Sequence, residues 1–240
     1  MIFITGDTHG DYDDLSGRNL KRIKKGDKLI ITGDFGFIWD NSPKEIKNLQ
    51  KLSKKKFDVL FVEGAHEDFD RLREFPECDL YRGKGYKIDH NIYCLKRGEI
   101  YQIEGKSILA LGGGLSPYDD DYDVEGKKSM PTEDELKFAV DNIQELGKRV
   151  DLIITHEAPA SVKRVIDRNA VVNDLNIFLD TVLHNTRFKK WFFGSLHQDR
   201  AVSQNLICVY QDVYGIEYRI ENRKQRTEKR EEIWEDSVLT

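Results

Sequence analysis

The 240-residue chain is expected to be an α/β protein, a four-layer αββα sandwich of two mixed β-sheets with helices outside. Three observations lead there. Apolar runs at 2–5, 28–32 and 58–63 alternate with charged segments of helical spacing, the βαβαβ pattern of a parallel or mixed sheet. Three closely spaced runs between 92 and 111 read as an antiparallel meander that begins a second sheet. Strand-like runs then return at 152–155, 190–194, 206–210 and 216–220.

The elements follow in order. Leu15, Leu20 and Ile23 give segment 11–25 its apolar residues, and Ile46, Leu49 and Leu52 recur every three residues within 43–56. One such stripe is all a helix needs against a sheet. The meander is Ile92–Leu95, Ile100–Ile103 and Ser107–Leu111, with Gly98 and Gly105 at its turns. Gly112, Gly113 and Gly114 break it before an acidic loop, Asp119 to Asp123. Thr132 followed by Glu135 is a capping box, opening a helix that runs to about Leu146 and stops at Gly147. Residues 174–186 read as another helix. No linker divides the chain, so residues 1–220 are expected to form one domain. The remainder, 221–240, is dense in Arg, Lys and Glu and reads as a tail that is helical or frayed, with Trp234 and Val238 on one face.

Bulk properties narrow the class. With 39% hydrophobic and 34% charged residues, the composition is that of a soluble globular protein. The 38 basic and 43 acidic residues give a net charge of −5, which argues against a broad nucleic-acid surface. It leaves a phosphate-bearing substrate open, since a metal ion can supply local positive charge. Cys78, Cys94 and Cys208 are far apart and read as reduced thiols. No apolar stretch nears the roughly 20 residues of a membrane span, and strand-like Ile2-Phe3-Ile4 replaces any signal peptide. The expected location is the cytoplasm.

Five apolar runs end in Gly or Thr and then present a carboxylate or an imidazole. They deliver Asp7-Thr8-His9, Gly33-Asp34, Gly64-Ala65-His66-Glu67, Thr155-His156 and Gly194-Ser195-Leu196-His197. Ligands of α/β sheets bind at the carboxyl ends of strands, and mixed Asp and His is metal-ligand chemistry. Four of the six histidines stand at these ends, whereas His90 and His184 lie outside the blocks and read as surface or structural groups. Each block alone is ordinary; their order and common placement are not.

In that order the blocks resemble the calcineurin-like metallophosphoesterase family, whose pattern is Asp-x-His, Gly-Asp, Gly-Asn-His-Asp/Glu, a later His, and Gly-His-x-His. The resemblance spans residues 7–197 and implies the same αββα sandwich. It implies a hydrolase acting on a phosphomonoester or phosphodiester, with a small-molecule or nucleotide substrate. It also implies two divalent cations (Mn, Fe, Zn or similar) that clamp a phosphate and acidify the attacking water. Asp7, His9 and His197 would hold the first ion, Asp34 would bridge, and His156 would serve the second. His66 would protonate the leaving oxygen.

Two positions depart from the pattern. Ala65 stands where the family has asparagine, and Ser195 where it has the first histidine of Gly-His-x-His; both would have bound the second ion. The reading therefore includes a weakened second site, and one ion or two remains open. An engineered enzyme, a natural member with one tight and one weak metal, and an impaired member kept as a binding or scaffold protein all fit. Glu63, Glu67 or Asp199 could lend a replacement oxygen. The run after Asp34, Phe35-Gly36-Phe37-Ile38-Trp39, lacks the Asp-Arg-Gly continuation of the protein Ser/Thr phosphatases. Phe37 and Trp39 are candidates for stacking an aromatic substrate, although aromatics packed beneath a loop would look the same.

Overall fold

Phe3, Leu29, Ile31, Val59 and Phe61 enter one core, while Ile2, Ile4, Ile30, Leu60 and Val62 enter another. Side chains of a strand alternate faces, so a strand covered on both sides must be apolar throughout. The same alternation recurs later in the chain: Leu109, Ile153, Trp191 and Phe193 face a third core, and Ile108, Leu152, Ile154 and Phe192 the second. Three cores separate four layers.

The computed structural model describes residues 1–18, 20–115, 128–216 and 218–220. Its elements are β1 (Ile2–Thr5), α1 (Tyr12–Gly17), β2 (Lys28–Ile31), α2 (Pro43–Ser53), β3 (Asp58–Phe61), α3 (Phe69–Glu74), β4 (Glu77–Leu80), β5 (Gly83–Asp89), β6 (Ile92–Leu95), β7 (Ile100–Ile103) and β8 (Lys106–Leu111). There follow α4 (Glu133–Glu145), β9 (Arg149–Thr155), α5 (Ala160–Ile166), α6 (Asp174–Asn185), β10 (Arg187–Phe193), β11 (Arg200–Ala201), β12 (Leu206–Cys208), β13 (Val213–Gly215) and β14 (Tyr218–Ile220).

One sheet has the order β14-β13-β1-β2-β3-β6-β5-β4 and the other β11-β12-β10-β9-β8-β7. In the first, β1, β2, β3 and β6 are parallel and the flanking strands antiparallel. In the second, β12, β10, β9 and β8 are parallel, with β11 and β7 antiparallel at the edges. Both sheets are mixed, as expected. Leu15, Leu52 and Leu72 dock α1, α2 and α3 on the outer face of the first sheet. Ala139, Ile143, Val162, Leu179 and Val182 dock α4, α5 and α6 on the second.

Local signals placed the helix starts. Thr132 and Glu135 form the capping box of α4, and Ser42 caps α2 with Pro43 in its first turn. Other expectations need correction. Ile92–Leu95 does not begin the second sheet: β6 pairs in parallel with β3, through Val59 and Ile92, and the chain changes sheets only after it. Nearness in sequence favoured pairing with β7, but Ile92 and Cys94 complete the outer core of the first sheet. The β4–β5 hairpin escaped the sequence reading because it is an edge with few buried residues. The segment 11–25 is a single six-residue helix followed by a 3₁₀ turn at Leu20–Arg22. The final strands form a hairpin, β13–β14, that joins the first sheet beside β1. The acidic loop and the tail 221–240 lie outside the described residues.

Candidate metal centre

Asp7, Asp34 and Ala65-His66 follow three adjacent parallel strands, and His156 and Ser195 follow two more in the other sheet. Backbone hydrogen bonds then stitch the loops together. Thr8 and His9 both donate to the Asp34 carbonyl (3.0 and 2.8 Å), and Gly194 and Ser195 both donate to the His156 carbonyl (3.0 and 3.0 Å). Two glycines make the approach possible. A Cβ on Gly33, whose φ is +113°, would collide with the His156 ring, and one on Gly194 would strike the Asp7 carboxylate.

Asp7, His9, Asp34 and His197 each direct one ligand-type atom into a space where all four atoms lie within 4.8 Å of one another. The carboxylates form the buried floor and the imidazoles the exposed rim. His9, Asp34 and His197 all have positive φ (45°, 41° and 50°), a conformation that costs a non-glycine residue free energy and concentrates at functional sites. Three of the four donors are thus held in strained backbone.

The electrostatics suit a cation. Both Asp7 carboxylate oxygens are buried and make no hydrogen bond. His197 Nε2 lies 3.0 Å from Asp7 Oδ2 and His156 Nδ1 3.6 Å from Oδ1, ion-pair contacts that are not hydrogen bonds. Burial alone would raise the Asp7 carboxyl, yet the neighbouring His156 and His197 outweigh it and hold Asp7 below its ordinary value. Asp34 behaves likewise: burial is opposed by His156 and His66, which hold it well below the usual carboxylate range. Asp34 is hydrogen-bonded by two amides and His66, whereas the Asp7 oxygens are not, and keeping both desolvated carboxylates ionised requires positive charge beside them, part of which His156 supplies. His9 Nε2 and His197 Nε2 are hydrogen-bonded at 3.1 Å, one donating and the other accepting, which brings the two ring nitrogens to the same place. Burial keeps His9 below the ordinary imidazole value, favouring the neutral form that can ligate. This donor set fits a divalent transition ion.

The remaining expected residues stand apart from that quartet. His66 Nδ1 lies 2.7 Å from Asp34 Oδ2, and the Ala65 and His66 amides donate to Asp34 Oδ1 (2.6 and 2.9 Å). His156 Nδ1 is 3.1 Å from the Thr32 carbonyl; a carbonyl only accepts, so Nδ1 carries a proton and Nε2 is the nitrogen turned toward Asp34 Oδ1, at 3.7 Å. Burial opposes protonation of His156, but Asp34 and Asp7 push its pKa up to about 10. Phe37 is fully buried in the outer core with its ring 4.8 Å from Phe35, whereas Trp39 is 51% exposed.

The carboxylates offered as replacements have other partners. Glu63 pairs with the buried Arg97. Glu67 accepts from the Phe35 and Gly64 amides (2.7 and 2.9 Å), and burial together with the Asp34 charge pushes its pKa up to about 8. Asp199 accepts from the amides of Tyr210, Gln211 and Asp212.

A family model for calcineurin-like phosphoesterases matches residues 1–199. The chain belongs to that family. The chemistry of that family is metal-dependent, and the chain carries an Asp/His group that could hold an ion. Among solved structures it is similar to a Staphylococcus aureus protein described as a 5'-nucleotidase, crystallised with alpha-ketoglutarate. The identity is 14% and the TM-score 0.47; the match covers 92% of this chain and 52% of that one, so the chain spans about half its length. A comparison with curated proteins gives no match.

Two features of the chain are absent from the expectations above. Arg18, 1% exposed, donates to the carbonyls of Gly6, Asp7 and Tyr210 (2.9, 2.5 and 2.7 Å) and to Asp14. It fixes the backbone beneath Asp7, but in sequence it is one charge among many. Glu157 is the other. Its Oε2 receives Lys163 Nζ at 2.9 Å, Asn176 Nδ2 at 2.8 Å and Ser195 Oγ at 3.3 Å, so Ser195 belongs to a buried polar network. Adjacency to His156 was the available signal.

Proposed function

We propose that this phosphoesterase hydrolyses a phosphomonoester or phosphodiester at a centre that holds one divalent ion tightly and a second weakly. Asp7, His9, Asp34 and His197 would hold the first. The second would have only Asp34 and His156, because Ala65 has no donor and Ser195 is engaged with Glu157. A bound ion would supply the positive charge that a phosphate ester and its attacking water require. The observation that carries this reading is the Asp7 carboxylate, buried with both oxygens lacking hydrogen bonds, at the floor of three other convergent donors.

The protein's own groups have distinct tasks in this reading. Asp34 orients His66 through the 2.7 Å contact at Nδ1, so Nε2 is the nitrogen that would meet the leaving oxygen and give it a proton. The amides of Ala65 and His66 fix Asp34 in turn. Manganese, iron and zinc all suit this mixed nitrogen and oxygen set, and the substrate would be a small phosphate ester or a nucleotide. A cytoplasmic setting and a single domain over 1–220 remain part of the proposal; no helix among the described residues is long and apolar enough to cross a membrane.

The second reading, a binding or scaffold protein that keeps one metal, is favoured by the Ser195–Glu157 contact, which satisfies that side of the site without an ion. Turnover decides between them. The purified chain supplied with Mn²⁺ should hydrolyse p-nitrophenyl phosphate or bis(p-nitrophenyl) phosphate, and Asp7→Asn should not. A metal-loaded chain inert toward both esters, and toward a broader panel of phosphate esters, would leave the scaffold reading standing.

A further inference from the structure

Rings line the rim of the site in a row. His197 and His9 stand 5.1 Å apart, His9 and His66 5.8 Å, and His66 and Trp39 6.0 Å, centroid to centroid. Trp39 ends the row on the side of His66. Its neighbours Phe35, Phe37 and Ile38 are fully buried, yet Trp39 leaves half its surface in solvent.

The backbone beneath it is locked. Glu45 Oε2 accepts three consecutive amides, those of Trp39 (2.6 Å), Asp40 (2.8 Å) and Asn41 (3.2 Å), while Glu45 Oε1 takes Arg71 Nη1 at 2.6 Å. The carboxylate is buried at the start of α2, and the Asp68 amide closes the loop onto the Ile38 carbonyl at 2.8 Å. An exposed indole on a loop fixed this way is presented, not merely tolerated. Rigid aromatic groups gain contact area at little entropic cost, which suits a recognition surface.

We propose that Trp39 is a stacking platform for the organic part of the substrate, and that this enzyme prefers phosphate esters carrying a flat aromatic group, such as an aryl ring or a nucleobase. The inference rests on the phosphoesterase reading above. It adds a choice of substrate class: with phosphate at the Asp/His quartet and the ester oxygen toward His66, the next group outward meets the indole face. Stacking of a base on an aromatic side chain is strong enough to change affinity about tenfold.

Intrinsic fluorescence and steady-state kinetics test this together, on the Mn²⁺-loaded enzyme and on Trp39→Ala and Trp39→Phe. Adenosine 5'-monophosphate should quench the wild-type emission, and the quench should vanish in Trp39→Phe, where only Trp191 and Trp234 remain. Glycerol 3-phosphate should produce no such Trp39-dependent quench. Trp39→Ala should weaken binding of adenosine 5'-monophosphate about tenfold, with Trp39→Phe restoring most of it. The ratio of KM for glycerol 3-phosphate to KM for p-nitrophenyl phosphate should fall about tenfold in Trp39→Ala. Equal losses on both esters, or no Trp39-dependent quench, overturns the platform. Failure of the enzyme to turn over any ester would sink the hydrolase reading alone, because quench and binding still decide the platform.

Discussion

Asp7, His9 and His197 form one group with Asp34, and His156, Ala65 and Ser195 form another. The first group has a buried carboxylate without hydrogen bonds, two imidazole nitrogens 3.1 Å apart, and strained backbone at His9 and His197. The second is satisfied from within: His156 bonds the Thr32 carbonyl, and Ser195 joins the Glu157–Lys163–Asn176 network. Unmet polar groups in a buried site imply a missing partner, whereas a closed network implies none. If the proposed reading holds, the two ion positions would be kept or lost separately even though they share Asp34 and His156 lies 3.6 Å from Asp7.

The largest effect should come from attacking the unsatisfied side. Asp7→Asn keeps the shape but removes the charge, and should abolish tight metal binding and cut hydrolysis by more than the roughly 10–100-fold that loss of an outer partner costs. Isothermal titration with Mn²⁺ and a rate assay read both. In the parent chain, saturating metal at about 100 times Kd should add about 2.7 kcal/mol of stability, and Asp7→Asn should lose that gain.

Arg18→Met comes next. It strips donors from the buried carbonyls of Gly6, Asp7 and Tyr210, and should cost about 3–5 kcal/mol of stability together with about 10–100-fold in metal affinity. Thermal melts and metal titration at low temperature separate the two losses; a destabilised variant with undiminished affinity would show that Arg18 serves the fold alone. Restoring the other side gives a smaller, opposite change. Ala65→Asn with Ser195→His should raise bound metal from about one to about two ions per chain, and hydrolysis with it. Smallest of all, Glu157→Gln should cost about 1–3 kcal/mol by weakening the Lys163 pairing, while first-ion affinity stays within about threefold. A large fall in that affinity would mean that the two sides are not independent.

The same contrast explains what was legible in the sequence. Asp7, His9, Asp34, His66, His156 and His197 stand at strand ends, where an apolar run stops abruptly, and that placement can be read from one chain. The capping box at Thr132 was equally readable, since capping is local. Arg18, Glu45 and Glu157 were not, because each acts on groups brought near only by the fold: Glu45 takes amides four to six residues earlier and Arg71 from another helix. Phe37 and Trp39 look alike in sequence, yet one is core and the other surface. The sheet assignment of β6 failed for a related reason. Pairing depends on which core needs Ile92 and Cys94, not on the nearest strand in sequence.

The most direct test of the asymmetry is metal stoichiometry. Native mass spectrometry of the purified chain, titrated with Mn²⁺ alongside the Ala65→Asn, Ser195→His double variant, should show one tightly held ion per parent chain and two in the variant. Two equally tight ions in the parent chain, or none at all, would contradict the account.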